Sequence, residues 1–268
     1  MKNLIKDLIS EDFLLFLRNN LNIRPLGYSY LKKNIISISD FFFWNTKNKF
    51  DTKINITNLA SQVLPKIKQD CNVIFIFFDS NGKVIFNDEI NLKYFQSYSF
   101  SVSKYCPNDF GSVAIFHRFK NFKELREHGS FVTEKGYVGY NYDNGPWSYV
   151  HGNNSSLSYS IDKKIFPLLS STILKINSYI PQVRFDDCTD SSLVFNNPLD
   201  IDLRTTVDIY DKNWLKLDSI QELTKPKNTK ILHLGAMKKS YVKIKSNMIL
   251  FRPMILKKYE TYFDIFHG

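Results

Sequence analysis

The segment Thr52–Asn58 alternates Ile54 and Ile56 with polar neighbours, the period of two expected of a strand with one face in a core. Cys71–Phe78 is continuously apolar after Asn72 and rich in β-branched and aromatic residues, so it predicts a strand covered on both faces. Ser80-Asn81-Gly82 then supplies a hairpin turn, since Asn and Gly accept positive φ at little cost, and Lys83–Phe86 returns. Phe95–Val102 alternates, with the set Gln96, Tyr98, Phe100 and Val102 reading as the core face. Gly111–Phe119 predicts a further strand, and Gly136–Tyr142 and Trp147–His151 flank Asp-Asn-Gly-Pro, a second hairpin. In the later half the same pattern predicts strands over Ser192–Asn197, Arg204–Tyr210, Trp214–Leu217, Lys230–Leu234, Tyr241–Lys245, Met248–Leu256 and Tyr262–His267. The run Phe41–Trp44 is expected to be buried, because exposed it would promote aggregation.

Two portions of this pattern resemble each other. FFDSNGKVI (77–85), FHRF (116–119) and WSYVHGN (147–153) are followed later by IYDKNWLKL (209–217), FRPM (251–254) and YFDIFHG (262–268). Asp79 is thereby matched to Asp211, Arg118 to Arg252, and His151 to His267, with an extra segment in the first copy near Lys120–Lys135. A repeat of this length predicts a duplicated β-domain. The expected fold is all-β: two tandem, related antiparallel β-sandwich domains, jelly-roll or immunoglobulin-like, preceded by a short N-terminal helix. The helix rests on the amphipathic spacing of Leu4, Ile5, Leu8 and Ile9. The expected divisions are 1–50 for that helix and the aromatic-rich segment, 51–155 for the first sandwich, 156–190 for a linker and 191–268 for the second sandwich.

Composition narrows the function classes. With 43% apolar and 15% aromatic residues the chain is a folded protein, long enough for two modest cores. Its formal charge of +10 admits an anionic partner, but only seven of the 36 basic residues are Arg. A reader of phosphates or bases favours Arg, whose planar fork binds them bidentately, so nucleic acid is not the expected partner. Three widely spaced cysteines, Cys71, Cys106 and Cys188, argue against a disulfide framework and fit a cytoplasmic location. The early apolar residues are broken by Lys6, Asp7, Glu11 and Asp12, so neither a signal peptide nor a transmembrane segment is expected. No dinucleotide, P-loop, zincin, nucleophile-elbow or EF-hand signature is present, and no cofactor is named by the sequence.

The stretch GYNYDNGPWSYVHGN (139–153) carries the candidate chemistry. Aromatic rings stack on the apolar faces of sugars, and amides and carboxylates bond their hydroxyls. The candidate ligand-binding residues are Tyr140, Asp143, Asn144, Trp147, Tyr149, His151 and Asn153. Against this, setting His151 on His267 places Trp147 on Phe263 and Tyr149 on Ile265, apolar counterparts that predict a sandwich-core role for that face. The two histidines, each followed by Gly, are expected to bond backbone groups at separate strand ends, the alternative being that they meet at a pseudo-twofold axis between the copies. Asp79 and Asp211 are expected as turn residues.

The expected function is a non-enzymatic binding or assembly module with a glycan or polysaccharide-related ligand, with homo-oligomerisation as a further expectation. The alternatives are a metal-dependent enzyme of duplicated β-barrel (cupin-like) type, with His117, His151 and His267 near the metal, and a structural β-sandwich protein of a virus or other assembly. The spaced HxH…E…H ligand pattern of cupin metalloenzymes is not found in the chain.

Overall fold

The structure is a computed structural model that describes residues 35–63, 68–120, 136–151, 157–167, 177–235, 241–248 and 251–267. The expected N-terminal helix, the segment 121–135 and Asn153 lie outside the described residues.

The first group of elements is β1 (Ile35–Asn45), β2 (Phe50–Thr57), the short helix α1 (Leu59–Val63), β3 (Cys71–Asp79), β4 (Val84–Leu92), β5 (Ser97–Ser101), β6 (Phe110–Phe119), β7 (Gly136–Tyr142), β8 (Ser148–His151), β9 (Leu157–Ser160) and β10 (Ile165–Pro167). The second is β11 (Asn177–Tyr179), β12 (Asp190–Asn196), β13 (Leu203–Tyr210), β14 (Lys216–Thr224), β15 (Thr229–His233), β16 (Tyr241–Ser246), β17 (Met254–Lys258) and β18 (Phe263–His267). They form four antiparallel sheets. Those of the first group run β10-β9-β1-β6-β3-β4 and β5-β2-β7-β8; those of the second run β11-β16-β13-β14 and β15-β12-β17-β18. Apart from β9 and β10, which extend the first sheet, each sheet of one group becomes its counterpart when ten is added to every label. The protein is a pair of related antiparallel β-sandwiches.

The duplication reaches atomic detail at the β3–β4 and β13–β14 hairpins. Asp79 Oδ1 accepts the backbone N–H groups of Asn81 and Lys83, both at 2.9 Å, and Asp211 Oδ1 accepts those of Asn213 and Leu215, both at 2.8 Å. The pairing register slips at the same place, between Phe77 and Phe78 in one copy and Ile209 and Tyr210 in the other. The left-handed turn position is Gly82 (φ 77°) in the first and Trp214 (φ 63°) in the second. The next turns also agree, with Phe95 and Lys227 both at φ 61°.

The strand register corrects one match made from spacing. Arg118 lies opposite Asn72 on β3, and the equivalent place beside Arg204 on β13 is taken by Asn247, whose side-chain carbonyl accepts the Arg204 N–H at 2.9 Å. Arg252 precedes β17 in the other sheet, so the two arginines are not counterparts. Arg118 lies 3.9 Å from Glu89 and over the Tyr159 ring.

Phe41–Trp44 is buried, as its composition requires, because β6 pairs along this stretch and apolar clusters cover both of its faces. The core of the first sandwich continues into residues of the second: Phe43, Ile54, Phe75 and Val138 share one apolar cluster with Val194, Met254, Leu256, Phe263 and Ile265. A separate cluster around Leu193, Phe195, Val207 and Ile255 fills the second sandwich. Successive residues of β12 and β17 therefore serve both, one face pointing into their own sandwich and the other against the first. The tip of the β3–β4 hairpin completes the contact. The Thr229 N–H donates to the Ser80 carbonyl at 3.0 Å, and a Cβ at Gly82 would stand 2.8 Å from the Lys227 carbonyl carbon. Only glycine allows that approach.

Candidate functional site

The outer face of the β5-β2-β7-β8 sheet is built row by row by the pairing register. Ser99, Asn55, Tyr137 and His151 lie directly opposite one another across the four strands, and Ser101, Lys53, Gly139 and Tyr149 form the adjacent row. Period-two alternation puts Thr52, Ile54 and Ile56 into the core and leaves these rows outside. The Ser99 hydroxyl donates to Asn55 Oδ1 at 2.5 Å and the Ser101 hydroxyl to Asp51 Oδ1 at 2.9 Å, which orders the polar half of the face.

The other half is aromatic. Trp147 is 38% exposed, Tyr149 47% and Tyr137 57%. The Trp147 and Tyr149 rings lie 6.3 Å apart with planes inclined by 30°. Tyr149 lies flat because it crosses Gly139, where a Cβ would approach the ring to 2.4 Å. From Trp147 to His151 the stripe runs about 13 Å at the usual rise of a strand.

This placement overturns the expectation that the Trp147/Tyr149 face is sandwich core. Phe263 and Ile265 are buried for a different reason than a place in their own sandwich. They are covered by the first, with the Phe263 ring 5.1 Å from that of Phe50 and 6.4 Å from that of Tyr142. At the matched positions in the first copy no second sheet lies over the rings, and Trp147 and Tyr149 stay 38% and 47% exposed among the described residues.

The other candidates are divided. Tyr140 is fully buried; its hydroxyl donates to the Phe43 carbonyl at 2.6 Å and burial pushes its phenol far above the usual range, so it supports the core and not a ligand. Asp143 and Asn144 form the β7–β8 turn, both with positive φ (52° and 59°), at the opposite end of the hairpin from His151. The Asp143 carboxylate is tied to Lys49 at 2.7 Å, both side chains being more than half exposed.

His151 meets His267. The two Nε2 atoms are 2.7 Å apart and the ring centroids 4.1 Å apart. Three residues earlier on each strand the Ser148 hydroxyl donates to Asp264 Oδ1, and the Ile265 N–H reaches Ser148 Oγ at 3.2 Å. β8 and β18 thus lie side by side with matched positions in contact. The expectation of two separate strand-end histidines is corrected. His117 does not join them: it is buried on β6 with Nδ1 3.7 Å from Cys71 Sγ. Among the described residues no group of three or more His, Cys, Asp or Glu side chains is placed to hold a metal.

One cavity lies between the sandwiches. It measures about 790 Å³ and is walled by Asn45, Phe50 and Asn81 of the first and Thr224, Lys225 and Thr229 of the second. Sequence reasoning missed it, because its walls come from strands and turns far apart in the chain.

No helix among the described residues is long and apolar enough to cross a membrane. No protein-family model matches the chain, and no curated protein matches it. Among solved structures it is similar to a β-glucuronidase of glycoside hydrolase family 2, with 10% identity and a TM-score of 0.18 over 85% of this chain and 23% of that one. It is also similar to a glycosyl hydrolase family 2 member from Bacteroides cellulosilyticus, with 9% identity and a TM-score of 0.18 over 91% of this chain and 30% of that one. The chain thus spans less than a third of either, and at that TM-score neither likeness carries an argument.

Proposed function

We propose that the protein is a non-catalytic glycan-binding module whose ligand lies on the outer face of the β5-β2-β7-β8 sheet, and that it works in the cytoplasm, where its free cysteines stay reduced. The carrying observation is the contrast between the copies. Where the second copy has Phe263 and Ile265 buried against its neighbour, the first has Trp147 and Tyr149 open to solvent. Beside them stand hydroxyl, amide and ammonium groups of Ser99, Asn55 and Lys53. An apolar protein partner would bury the Lys53 ammonium and the Asn55 amide N–H groups without offering them acceptors, at a cost of about 1–3 kcal/mol each. A sugar satisfies both halves, stacking its C–H face on the rings and bonding through its hydroxyls.

The test is a glycan array on the full chain followed by calorimetry of the hits with wild type and Trp147→Ala. Saturable binding that disappears in the folded variant supports the reading. An array with no binder, or binding that Trp147→Ala leaves intact, refutes it.

A further inference from the structure

The cleft between the two sandwiches has a chemistry distinct from that of the aromatic face. Its volume, about 790 Å³, falls within the roughly 300–1,000 Å³ of small-molecule sites. Lys47, Lys225, Lys230 and Lys258 line it against one acid, Asp190. Lys230 is paired with Glu222, and Lys258 is held over the Tyr142 ring, 4.7 Å from its centroid. Lys47 and Lys225 make no ion pair among the described residues, and they face the cavity from different sandwiches. Low-dielectric walls concentrate such a field, which favours an anion.

A second observation points to hydroxyl groups on that anion. Thr224 and Thr229 line the cleft and are almost wholly buried, yet neither hydroxyl has a hydrogen-bond partner among the described residues. The amide of Asn196, across the ladder from Thr229, likewise has none. Buried polar groups without partners are rare in native proteins, and a water or a bound molecule that bonds them is one account of such groups. A hydroxyl can both donate and accept, so each threonine offers both kinds of bond to a group that reaches it from the cleft. Phe50 and Phe263 on the same walls offer apolar surface to a ring.

We propose that this cleft binds a monosaccharide carrying an anionic group, a carboxylate or a phosphate, clamped between Lys47 of one sandwich and Lys225 of the other. Because its walls belong to both copies, the ligand binds only the docked pair and stabilises it by mass action.

The experiment is thermal unfolding and calorimetry of the full chain with galacturonate, glucose 6-phosphate and neutral glucose, repeated on Lys47→Glu/Lys225→Glu. Both substitutions fall in turns, outside the strands. Either anion should raise the melting temperature where glucose does not, bind more weakly as salt is added, and bind about tenfold more weakly or worse to the double variant. Which anion binds tighter identifies the group recognised. Trp147→Ala should leave this binding unchanged, which separates it from the aromatic face. The proposal is overturned if neither anion binds, if glucose binds equally well, or if the charge-reversed protein binds the anion as wild type does.

Discussion

His151 and His267 hold equivalent places in the two copies and touch each other, Nε2 to Nε2, at 2.7 Å. A bond between two imidazoles needs a proton on one nitrogen and a lone pair on the other. Replacing either ring removes the whole interaction, so the effects of His151→Gln and His267→Gln should not add. The expected coupling energy is about 1 kcal/mol in a double-mutant cycle read by urea unfolding. Additivity within about 0.3 kcal/mol would show that the contact contributes nothing.

Trp147→Ala is expected to change stability by less than about 1 kcal/mol, since the ring is substantially exposed, while abolishing glycan binding. A loss of 3–5 kcal/mol, the usual cost of deleting a buried Trp, would return it to the core. Gly139→Ala gives a companion test. Its methyl would displace the Tyr149 ring, so binding should weaken while the fold persists.

Tyr140→Phe is expected to cost about 1–2 kcal/mol by leaving the buried Phe43 carbonyl without its hydroxyl donor. Ligand binding should be unaffected. Thermal unfolding paired with the glycan assay separates the two roles.

Gly82→Ala should destabilise the protein by about 2–3 kcal/mol. The left-handed conformation costs a non-glycine residue about 1–2 kcal/mol, and the methyl would press on the Lys227 backbone. A variant as stable as wild type in urea would show that the hairpin tip is not held against the second sandwich.

Asp208 predicts a pH dependence. Burial pushes its carboxyl upward, but hydrogen bonds from Lys216 (2.6 Å), Lys245 (2.7 Å) and Ser219 (2.7 Å) outweigh this and hold it well below the usual carboxylate range. A depressed folded value means that the stabilisation is complete above the unfolded value, near 3.9, and is lost as pH falls through the folded one. Asp208→Asn should cost about 2 kcal/mol at neutral pH and flatten the loss of stability below about pH 4, as measured by urea unfolding across that range.

Alternation and turn chemistry made the fold legible. Ile54 and Ile56 point inward as their spacing demands, and Asp79 and Asp211 revealed the duplication because each accepts the same pair of backbone donors. Spacing failed for Arg118 and Arg252, since connections of unequal length moved the arginines relative to the strand ladders. It also failed at Trp214, expected to begin a strand: a left-handed Trp held by stacking on Tyr241 takes the place that Gly82 fills in the first copy. The candidate site was half legible. Alternation put Trp147, Tyr149 and His151 on one face, but whether a face is covered depends on the neighbouring sandwich, which local pattern does not encode. The internal comparison then misled, because Phe263 and Ile265 owe their burial to that neighbour.

The side-by-side placement of β8 and β18 has a consequence for the protein before and during assembly of its two halves. Among the described residues each is the last strand of its sheet, with one row of backbone groups that no further described strand pairs. Such rims recruit extended segments of other chains. Here each rim guards the other, and the Ile265 N–H bonds a serine hydroxyl where a foreign carbonyl would otherwise dock. While the second half is still emerging from the ribosome, the first carries an open rim beside Trp147 and Tyr149, the moment of greatest vulnerability to misassembly.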